Sequence, residues 1–391
     1  MDVMQPKSNK PRVRSPSVLS EKEDQIRIER RVAAQNHLGT VTALAVSPDH
    51  QWVASSAWES RLILRKAANP SINVQQVTAS PARALAFSHS GAHLASVHPD
   101  GFRVWNIDYS GPNQEGVDLM LEEIIHNGPD KREPRAVAWL DEDQLARVYS
   151  CRQALKTRSL SDAPGPVLVG KFRGALNFTL FSPENALLAF GSGGGRCHIW
   201  DVKLQRIKLE LPKHESEADN PVLKTFLKAA QFDARGEHIV ILSNDGTARV
   251  WDTTESGQLL FAVPSELPCV KDVSLSPDGR HLLIVLGDGK AWLSEWWNGR
   301  QWTPLSGHKS AVERVYFSPA GRGIASVLSD GTVCFWETRD LSEPQRAFTE
   351  HQKQVERLTF SGDDILVFAA DDGTMYYTYH GFVLGGTPSE V

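Results

Sequence analysis

The chain has 391 residues, 41% of them hydrophobic, which would suffice for two or three ordinary domains. The chain contains 42 Lys and Arg residues and 47 Asp and Glu residues, which gives a formal net charge of −5. This charge gives no overall attraction for nucleic acid, whose binding proteins usually carry a strongly basic domain. No apolar run approaches the roughly 20 residues that a membrane-spanning helix needs, so we expect neither nucleic-acid binding nor membrane insertion.

Residues 1–23 are rich in proline, serine and charge, which predicts a flexible N-terminal tail. Its basic stretch Lys7–Arg14 is interpreted as a solvated segment in preference to a localisation or binding arm. The tail lacks the apolar core of an export signal, and four widely spaced cysteines favour a reducing compartment, so we expect a cytoplasmic protein, or a nuclear one in a eukaryote. Residues 24–384 form the predicted folded domain, and 385–391 a C-terminal tail.

A short apolar strand ending in a turn like Ser276-Pro277-Asp278-Gly279 recurs eight times along the chain. Successive turns lie 41 to 52 residues apart, and a period of about 40 to 45 residues is typical of a propeller built from four-stranded blades. The sequence therefore predicts an all-β fold, a single β-propeller of eight four-stranded antiparallel blades, with seven blades as the alternative. The repeated turn position is occupied by Ser47, Ser88, Leu140, Ser182, Asp233, Ser276, Ser318 and Ser361.

The units keep this pattern to different degrees. The first long spacing contains Val117–Ile124, which predicts an outer strand or a short helix, and the second contains the loop Glu215–Lys224. The third unit, Arg135–Leu160, keeps only alternating apolar segments, so its assignment rests on spacing. The seventh unit is the clearest, with predicted strands at Val312–Phe317, Gly323–Leu328 and Thr332–Trp336.

Several motifs within the units carry a family resemblance. Trp200-Asp201 and Trp251-Asp252 close their units, Asp245-Gly246-Thr247 precedes the second of these pairs, and His93-Leu94-Ala95-Ser96 forms a second strand. Over about residues 25–380 the chain resembles the WD-repeat family. Periplasmic Tol-type propellers share the Ser-Pro-Asp-Gly turn but lack the strand that runs from Asp-Gly-Thr to Trp-Asp, so the WD-repeat resemblance is preferred.

The resemblance implies a hydrogen-bonded network of His, Ser, Asp and Trp inside each blade, which would satisfy buried polar groups. The seventh unit supplies the full set, and the other units keep only parts of it. The predicted network residues are His308, Ser326, Asp330 and Trp336.

Two segments compete to complete the last blade. In WD-repeat rings an N-terminal strand often does so, and Gln25–Arg30 alternates apolar and polar residues with a strand period. The rival is Phe382–Leu384, directly after the final unit. Both alternatives stay open at this stage.

Two sets of residues are candidates for partner binding. The first lies on the face formed by the turns that precede each first strand, and consists of Arg83, Arg135, Lys271, Glu313 and Glu356. The second follows from Asn298-Gly299, a strong hairpin signal that would pair Glu295 with Trp302. It would bring Trp297, Arg300 and Trp302 to one side of the sheet as a cation–π cluster, although packing between blades is the favoured interpretation of these aromatic residues.

No nucleophile elbow, zinc-protease motif or metal-binding spacing accompanies the 13 histidines, so we expect no catalytic, cofactor-binding or metal-binding residues. The preferred function is a non-enzymatic scaffold or adaptor that binds one or more partner proteins through its loop faces. The alternatives are a substrate-recognition subunit of a larger enzyme complex and, less favoured, an enzyme that uses the central channel. A small-molecule ligand is not expected.

Overall fold

The computed structural model describes fifteen segments of the chain, and every statement below concerns these segments. They contain β-strands and turns, and within them there is no helix long and apolar enough to cross a membrane. The strands form eight sheets of four antiparallel strands, which confirms the predicted all-β fold and its eight blades. The described segments are 31–32, 37–109, 117–126, 134–140, 144–149, 154–159, 167–171, 176–183, 186–192, 195–204, 206–212, 226–298, 301–348, 354–363 and 365–379.

Blades 1 to 4 each use four consecutive strands. The sequence predicted either an outer strand or a short helix at Val117–Ile124. The structure has a strand there, β9, which is the outer strand of blade 2. The strands are β2 Val41–Val46, β3 Trp52–Ala57, β4 Arg61–Lys66 and β5 Asn73–Val77 in blade 1; β6 Ala84–Phe87, β7 His93–His98, β8 Gly101–Asp108 and β9 Asp118–His126 in blade 2; β10 Pro134–Trp139, β11 Gln144–Tyr149, β12 Ala154–Ser159 and β13 Val167–Lys171 in blade 3; β14 Leu176–Phe181, β15 Leu187–Ser192, β16 Cys197–Asp201 and β17 Arg206–Leu211 in blade 4.

Blades 5 to 8 repeat the plan, except that blade 8 takes its outer strand, β1, from the N-terminal side of the chain. The strands are β18 Leu227–Phe232, β19 His238–Ser243, β20 Ala248–Asp252 and β21 Leu259–Ala262 in blade 5; β22 Val270–Leu275, β23 Leu282–Leu286, β24 Ala291–Ser294 and β25 Trp302–Pro304 in blade 6; β26 Val312–Phe317, β27 Gly323–Leu328, β28 Val333–Glu337 and β29 Arg346–Phe348 in blade 7; β30 Val355–Ser361, β31 Ile365–Ala370, β32 Met375–Tyr379 and β1 Arg31–Val32 in blade 8.

The recurring turn serine has a structural cause. In blade 6 the buried Ser276 hydroxyl accepts the backbone N–H of His281 at 2.8 Å, and in blade 7 Ser318 accepts that of Gly323 at 3.0 Å. The carboxylate of Asp233 does the same for His238 in blade 5, at 3.2 Å. Each side chain satisfies a backbone donor where the second strand begins, because a buried donor left without a partner would be costly.

The first strand of each blade lies innermost, and first strands of neighbouring blades contact each other. In seven blades this strand shifts register after its first residue, so that its second residue forms a β-bulge. Bulges re-aim side chains. The bulge residues are Thr42, Arg135, Asn177, Lys228, Lys271, Glu313 and Glu356, and Arg83, just before β6, holds the matching place in blade 2.

The hydrophobic core lies between the blades. One cluster joins Val250 of blade 5 to Val273 of blade 6, and another joins Val53 of blade 1 to Val367 of blade 8. Each sheet therefore covers the apolar face of the next, as expected when a single blade cannot bury both of its faces.

The ring closes in blade 8, where β1 pairs with β32 through Arg31 opposite Tyr377 and Val32 opposite Tyr376. Side chains also cross this seam, since Thr40 Oγ1 donates to the Asp371 carbonyl at 3.0 Å. The predicted closing segments Gln25–Arg30 and Phe382–Leu384 lie outside the described residues, so both remain predictions.

Candidate functional site

The bulge residues and Arg83 form a ring around one mouth of the channel, which we call the bulge ring. All five partner-binding candidates from the first predicted set belong to it. Arg83, Arg135, Lys228 and Lys271, on blades 2, 3, 5 and 6, are exposed. Glu313 and Glu356, on blades 7 and 8, are half-buried. The ring is therefore basic on one side and acidic on the other, on a chain whose formal net charge is −5.

Several charged side chains near this mouth are fixed to a neighbouring blade. Lys228 Nζ donates to the Lys271 carbonyl at 2.8 Å, Arg314 Nη1 donates to the Glu356 carbonyl at 2.6 Å, and Arg357 Nη2 donates to the Thr42 carbonyl at 3.3 Å. These bonds link blade 5 to 6, blade 7 to 8 and blade 8 to 1. The mouth is thus partly organised before any ligand binds, which lowers the entropic cost of binding.

Asp272 lies directly after the bulge in blade 6 and serves a structural purpose. Its Oδ2 accepts the backbone N–H of Val315 in blade 7 at 3.0 Å. The first strand is a sheet edge, so this N–H has no strand partner. Burial raises the pKa of Asp272 to about 6, while the nearby Arg314 and Lys228 act in the opposite direction.

The same face carries exposed apolar side chains on blade 1, which we call the blade 1 patch: Leu38, Trp58 and Val77, with exposed fractions of 73%, 68% and 79%. Leu38 precedes the first strand, and Trp58 lies in the turn between β3 and β4. Val77 ends β5 opposite Arg61, at the same end of the sheet. The Trp58 N–H donates to the Thr40 carbonyl at 3.2 Å, which holds the two loops together.

The predicted network in blade 7 is only partly bonded. His308 Nε2 lies 3.1 Å from Ser326 Oγ, and the His308 and Trp336 rings are 4.6 Å apart between centroids. His308 Nδ1 donates to the Leu305 carbonyl at 3.1 Å, and the Asp330 carboxylate instead accepts the N–H of Thr332 in its own turn at 2.8 Å. The Trp336 indole N–H has no hydrogen-bond partner in the described part of the chain. The expected four-membered chain of hydrogen bonds is therefore interrupted twice. The Leu305 carbonyl takes the place expected for Asp330, and the Trp336 indole does not bond to Ser326.

Blade 2 contains a more complete network, which sequence reasoning missed. Trp105 Nε1 donates to Ser96 Oγ at 2.8 Å, and His98 Nε2 lies 2.9 Å from the same oxygen. The turn between β7 and β8 is one residue shorter than the turn between β27 and β28 in blade 7. The histidine of this network, His98, lies on the second strand of its blade, whereas His308 precedes the first strand. The sequence contained a signal for this network. The unit has Thr78 at the position of His308 in blade 7, and it has a histidine, His98, two residues after Ser96.

Blade 1 contains a Ser–His–Glu arrangement that resembles a catalytic triad in its distances. His37 Nε2 lies 2.9 Å from Ser55 Oγ, and His37 Nδ1 lies 2.6 Å from Glu59 Oε1. Ser55 and His37 are fully buried, and burial lowers the pKa of His37. A substrate cannot reach the hydroxyl, so this triad acts as the network of its blade rather than as a nucleophile.

The predicted pairing around Asn298-Gly299 is wrong. Trp302 pairs with Ser294 instead of Glu295, and the strands are joined by a longer loop in which the Asn298 N–H donates to the Glu295 carbonyl at 3.1 Å. Trp302 packs near Phe261 of blade 5 at 6.3 Å between ring centroids, together with Trp296, which occupies the space between blades.

The remaining members of that predicted cluster are separated from Trp302. Trp297 is 54% exposed and lies on the face opposite the bulge ring, where the Arg280 guanidinium sits 5.4 Å from its ring centroid. Arg300 lies outside the described residues. A cation–π pair is present, but its arginine comes from the turn between β22 and β23 and not from the predicted hairpin.

At the opposite mouth of the channel, a cavity of about 510 Å³ is lined mostly by apolar side chains of blades 1 to 4 and by Phe360 of blade 8. A second group, Asp233, Glu237 and His238, has the composition of a metal site. Both Asp233 oxygens already accept hydrogen bonds, Oδ1 from backbone N–H groups and Oδ2 from the His238 ring at 2.8 Å. This group is therefore explained as the turn-capping pair of blade 5.

Comparison with known proteins gives a consistent family. The WD40 model, described as WD domain, G-beta repeat, matches residues 31–64, 299–337 and 342–377. Transcription initiation factor TFIID subunit 5 of Caenorhabditis elegans is 28% identical over 200 residues, which cover 49% of this chain and 28% of that protein. The LST8 homolog of Drosophila melanogaster is 29% identical over 157 residues, which cover 37% of this chain and 46% of that protein. The chain thus spans less than half the length of either relative.

Solved structures match over most of the chain. Sqt1 from Chaetomium thermophilum, bound to the N-terminus of the ribosomal protein L10, has a TM-score of 0.70 and 16% identity, and the match covers 90% of this chain and all of that one. The computationally designed Ika8 protein has a TM-score of 0.68 and 21% identity, with 90% and 99% covered. At these identities the likeness shows the fold. The eight four-stranded blades and the three matched repeats together make this chain a β-propeller that contains WD40 repeats.

Proposed function

We propose that this protein is a non-enzymatic interaction scaffold that holds partner proteins against the face carrying the bulge ring. The observation that carries the proposal is the ring itself, in which exposed or half-buried charges stand at the matching position of six of the eight blades around one mouth. WD-repeat propellers are typically protein-interaction scaffolds, and Sqt1 is an example solved with a peptide of a ribosomal protein. Arginine and tryptophan are enriched at protein interfaces, and this face carries the exposed Arg83, Arg135 and Trp58.

Two narrower roles fit the same geometry. The scaffold would serve as an adaptor within the cytoplasm or nucleus, or as the substrate-recognition subunit of a larger enzyme complex. A channel enzyme is less well supported, since the propeller fold is typically non-catalytic, the Ser55 triad is inaccessible and the opposite mouth is lined mainly by apolar groups.

Site-specific photo-crosslinking in the native cell tests the proposal. A photoreactive phenylalanine at Glu313 or Lys271 samples the bulge ring, and the same group at Lys203 or Arg235 samples the opposite face as a matched control. We expect covalent adducts with the same protein from both bulge-ring positions and not from the control positions. Adducts obtained only from the opposite face would contradict the proposal.

A further inference from the structure

The blade 1 patch and the basic side of the bulge ring meet at one junction. The Ala82 N–H donates to Ser56 Oγ at 3.0 Å, and Thr42 Oγ1 donates to the Ala82 carbonyl at 2.6 Å. Trp58 lies two residues beyond Ser56, and Arg83 follows Ala82. The end of β3 that leads to Trp58 is therefore bonded to the segment that leads to Arg83. Arg83 is the first residue of what we call the basic arc, which continues through blades 3, 5 and 6 with Arg135, Lys228 and Lys271.

The charges at this mouth favour an anionic ligand. On blades 2 to 6, the bulge ring and the residues that directly follow it hold four cationic side chains and one acidic one, whereas blades 7 and 8 hold two of each and the whole chain has an excess of acidic residues. Two of the acids, Glu313 and Glu356, lie together on blades 7 and 8, and the third, Asp272, is engaged with the Val315 N–H. A ligand over blades 2 to 6 thus meets mainly positive charge.

Further carboxylates on this face lie outside the arc. They occupy the turns between second and third strands and are Asp100, Asp245, Asp288, Asp330 and Asp372. Asp100 pairs with Arg103 at 2.8 Å, and each of the others accepts an N–H of its own turn at 2.8 to 3.0 Å. Since strands are spaced by about 4.8 Å, these turns lie outward of the first strand. The cationic side chains of the arc thus stand at the mouth of the channel, and these carboxylates stand outward of them.

An apolar anchor site accompanies this potential. Trp58 and Leu38 are among the most exposed large apolar side chains of the described residues, and they lie on loops joined by the bond from Trp58 to Thr40. Tryptophan is enriched at interface hot spots, where it contributes a large contact area. An anion alone would make no use of this patch, which argues for a protein segment.

We propose that the blade 1 patch and the basic arc together bind an acidic segment of a partner protein, anchored on Trp58 and Leu38 by an aromatic or aliphatic side chain. This inference rests on the proposed scaffold function and names the chemistry of the partner. The acidic residues of the segment extend over Arg83, Arg135, Lys228 and Lys271, while Glu313 and Glu356 repel them and so fix the direction of the segment.

Selection from a random 12-residue peptide display library against the full chain tests this inference. We expect the enriched peptides to be net negative and to contain a large apolar residue. Their affinity should fall at least about tenfold with Lys271→Glu, and by a similar factor with Trp58→Ala, since a hot-spot truncation costs about 2 kcal/mol or more. Raising the salt concentration should weaken binding through the arc.

Matched controls come from the opposite face. Trp297→Ala and Arg280→Glu change an exposed tryptophan and its cationic neighbour without touching the arc, and should leave the affinity unchanged. The melting temperature of every variant establishes that it is folded, and Lys271→Arg should retain binding.

Enrichment of basic or uncharged peptides, or of no peptides, would overturn the inference, as would acidic peptides that are insensitive to Lys271→Glu and Trp58→Ala. A 12-nucleotide single-stranded RNA that binds more tightly than the peptides and depends on Lys271 would assign the arc to nucleic acid instead. Either result would leave the scaffold proposal standing if crosslinks still arise from Glu313 and Lys271, because that proposal fails only when the crosslinks map elsewhere.

Discussion

Arg65 is a buried cation at the seam between blades 1 and 8. It occupies the position in blade 1 that Trp336 occupies in blade 7. In both blades this residue lies on the third strand, two positions after the residue that pairs with the fourth residue of the second strand. Its side chain is 1% exposed and lies beside the Tyr377 hydroxyl, and burial lowers the pKa of the guanidinium. No carboxylate bonds to it in the described part of the chain.

Replacing this cation should stabilise the fold. We expect Arg65→Met to raise the free energy of unfolding by about 1 kcal/mol or more, because a buried charge without an ionic partner costs more than a packed apolar side chain. Urea titration measures the change, and Lys66→Met, on the same strand, should have a smaller effect. A loss of stability in Arg65→Met would mean that the guanidinium has a binding partner that stabilises it.

Asp272 predicts a dependence of stability on pH. Its pKa of about 6 in the folded protein lies above the ordinary value of 3.8, so the folded state holds the proton more tightly than the unfolded state does. This contribution favours folding at pH 4 and is lost as the pH rises through 6. Asp272→Asn does not titrate, and its amide oxygen can still accept the Val315 N–H. The melting temperature of the variant should therefore rise relative to that of the wild type as the pH is raised from 4 to 7.

A surface carboxylate provides the control for this titration. Hydrogen bonds from Ser342 lower the pKa of the exposed Asp340, so its contribution to stability has the opposite dependence on pH from that of Asp272. The pKa of Asp340 lies at 3.8 in the unfolded state and below that in the folded state, so the melting temperatures of Asp340→Asn and the wild type should run nearly parallel between pH 4 and 7. Parallel curves for Asp272→Asn and the wild type across the whole range would contradict the assigned pKa.

Among the elements, the networks of blades 2 and 7 differ in how many bonds depend on their serine. Ser96 Oγ contacts both Trp105 Nε1 and His98 Nε2, whereas Ser326 Oγ contacts only His308 among the described residues. We expect Ser96→Ala to cost about 1–3 kcal/mol, since it leaves buried donors unsatisfied, and Ser326→Ala to cost less. Equal losses in urea titrations of the two variants would show that the added bond to Trp105 contributes nothing.

The inner strands, which pack between two neighbouring blades, were predictable from the sequence. The outer strands were harder to predict. Val312–Phe317 and Gly323–Leu328 were placed correctly because inter-blade packing imposes apolar residues on them. The strand β9 was ambiguous, since an outer strand has one neighbour and leaves Met120, Leu121 and Ile124 exposed without a strict alternation.

The repeat phase located the bulge ring but not the patch beside it. The repeat phase was sufficient because seven first strands begin with the same bulge and blade 2 has Arg83 at the matching place. It predicted one shared mouth for Arg83, Arg135, Lys271, Glu313 and Glu356. Trp58 was missed because sequence composition does not separate an exposed tryptophan from one that packs between blades. The available signal was its position in a turn where other units carry Asp-Gly, a place that packing does not cover.

For the whole molecule, stability depends on closing the circle. Deleting residues 1–32 removes β1 and leaves β32 as an uncovered edge, so we expect the melting temperature to fall and hydrogen exchange to rise in blade 8. Deleting only residues 1–23 should change neither. An unchanged melting temperature in the longer deletion would mean that the N-terminal strand does not close the ring.

The central claim is that the face carrying the bulge ring holds the partner. Hydrogen–deuterium exchange of the purified protein, free and in complex with a partner captured by crosslinking, tests it most directly. We predict slower exchange on complex formation in residues 37–43, 80–84 and 309–314, which lie at this mouth, with no change in 47–52 and 276–281 on the opposite face. Slower exchange confined to the opposite-face segments would contradict the claim.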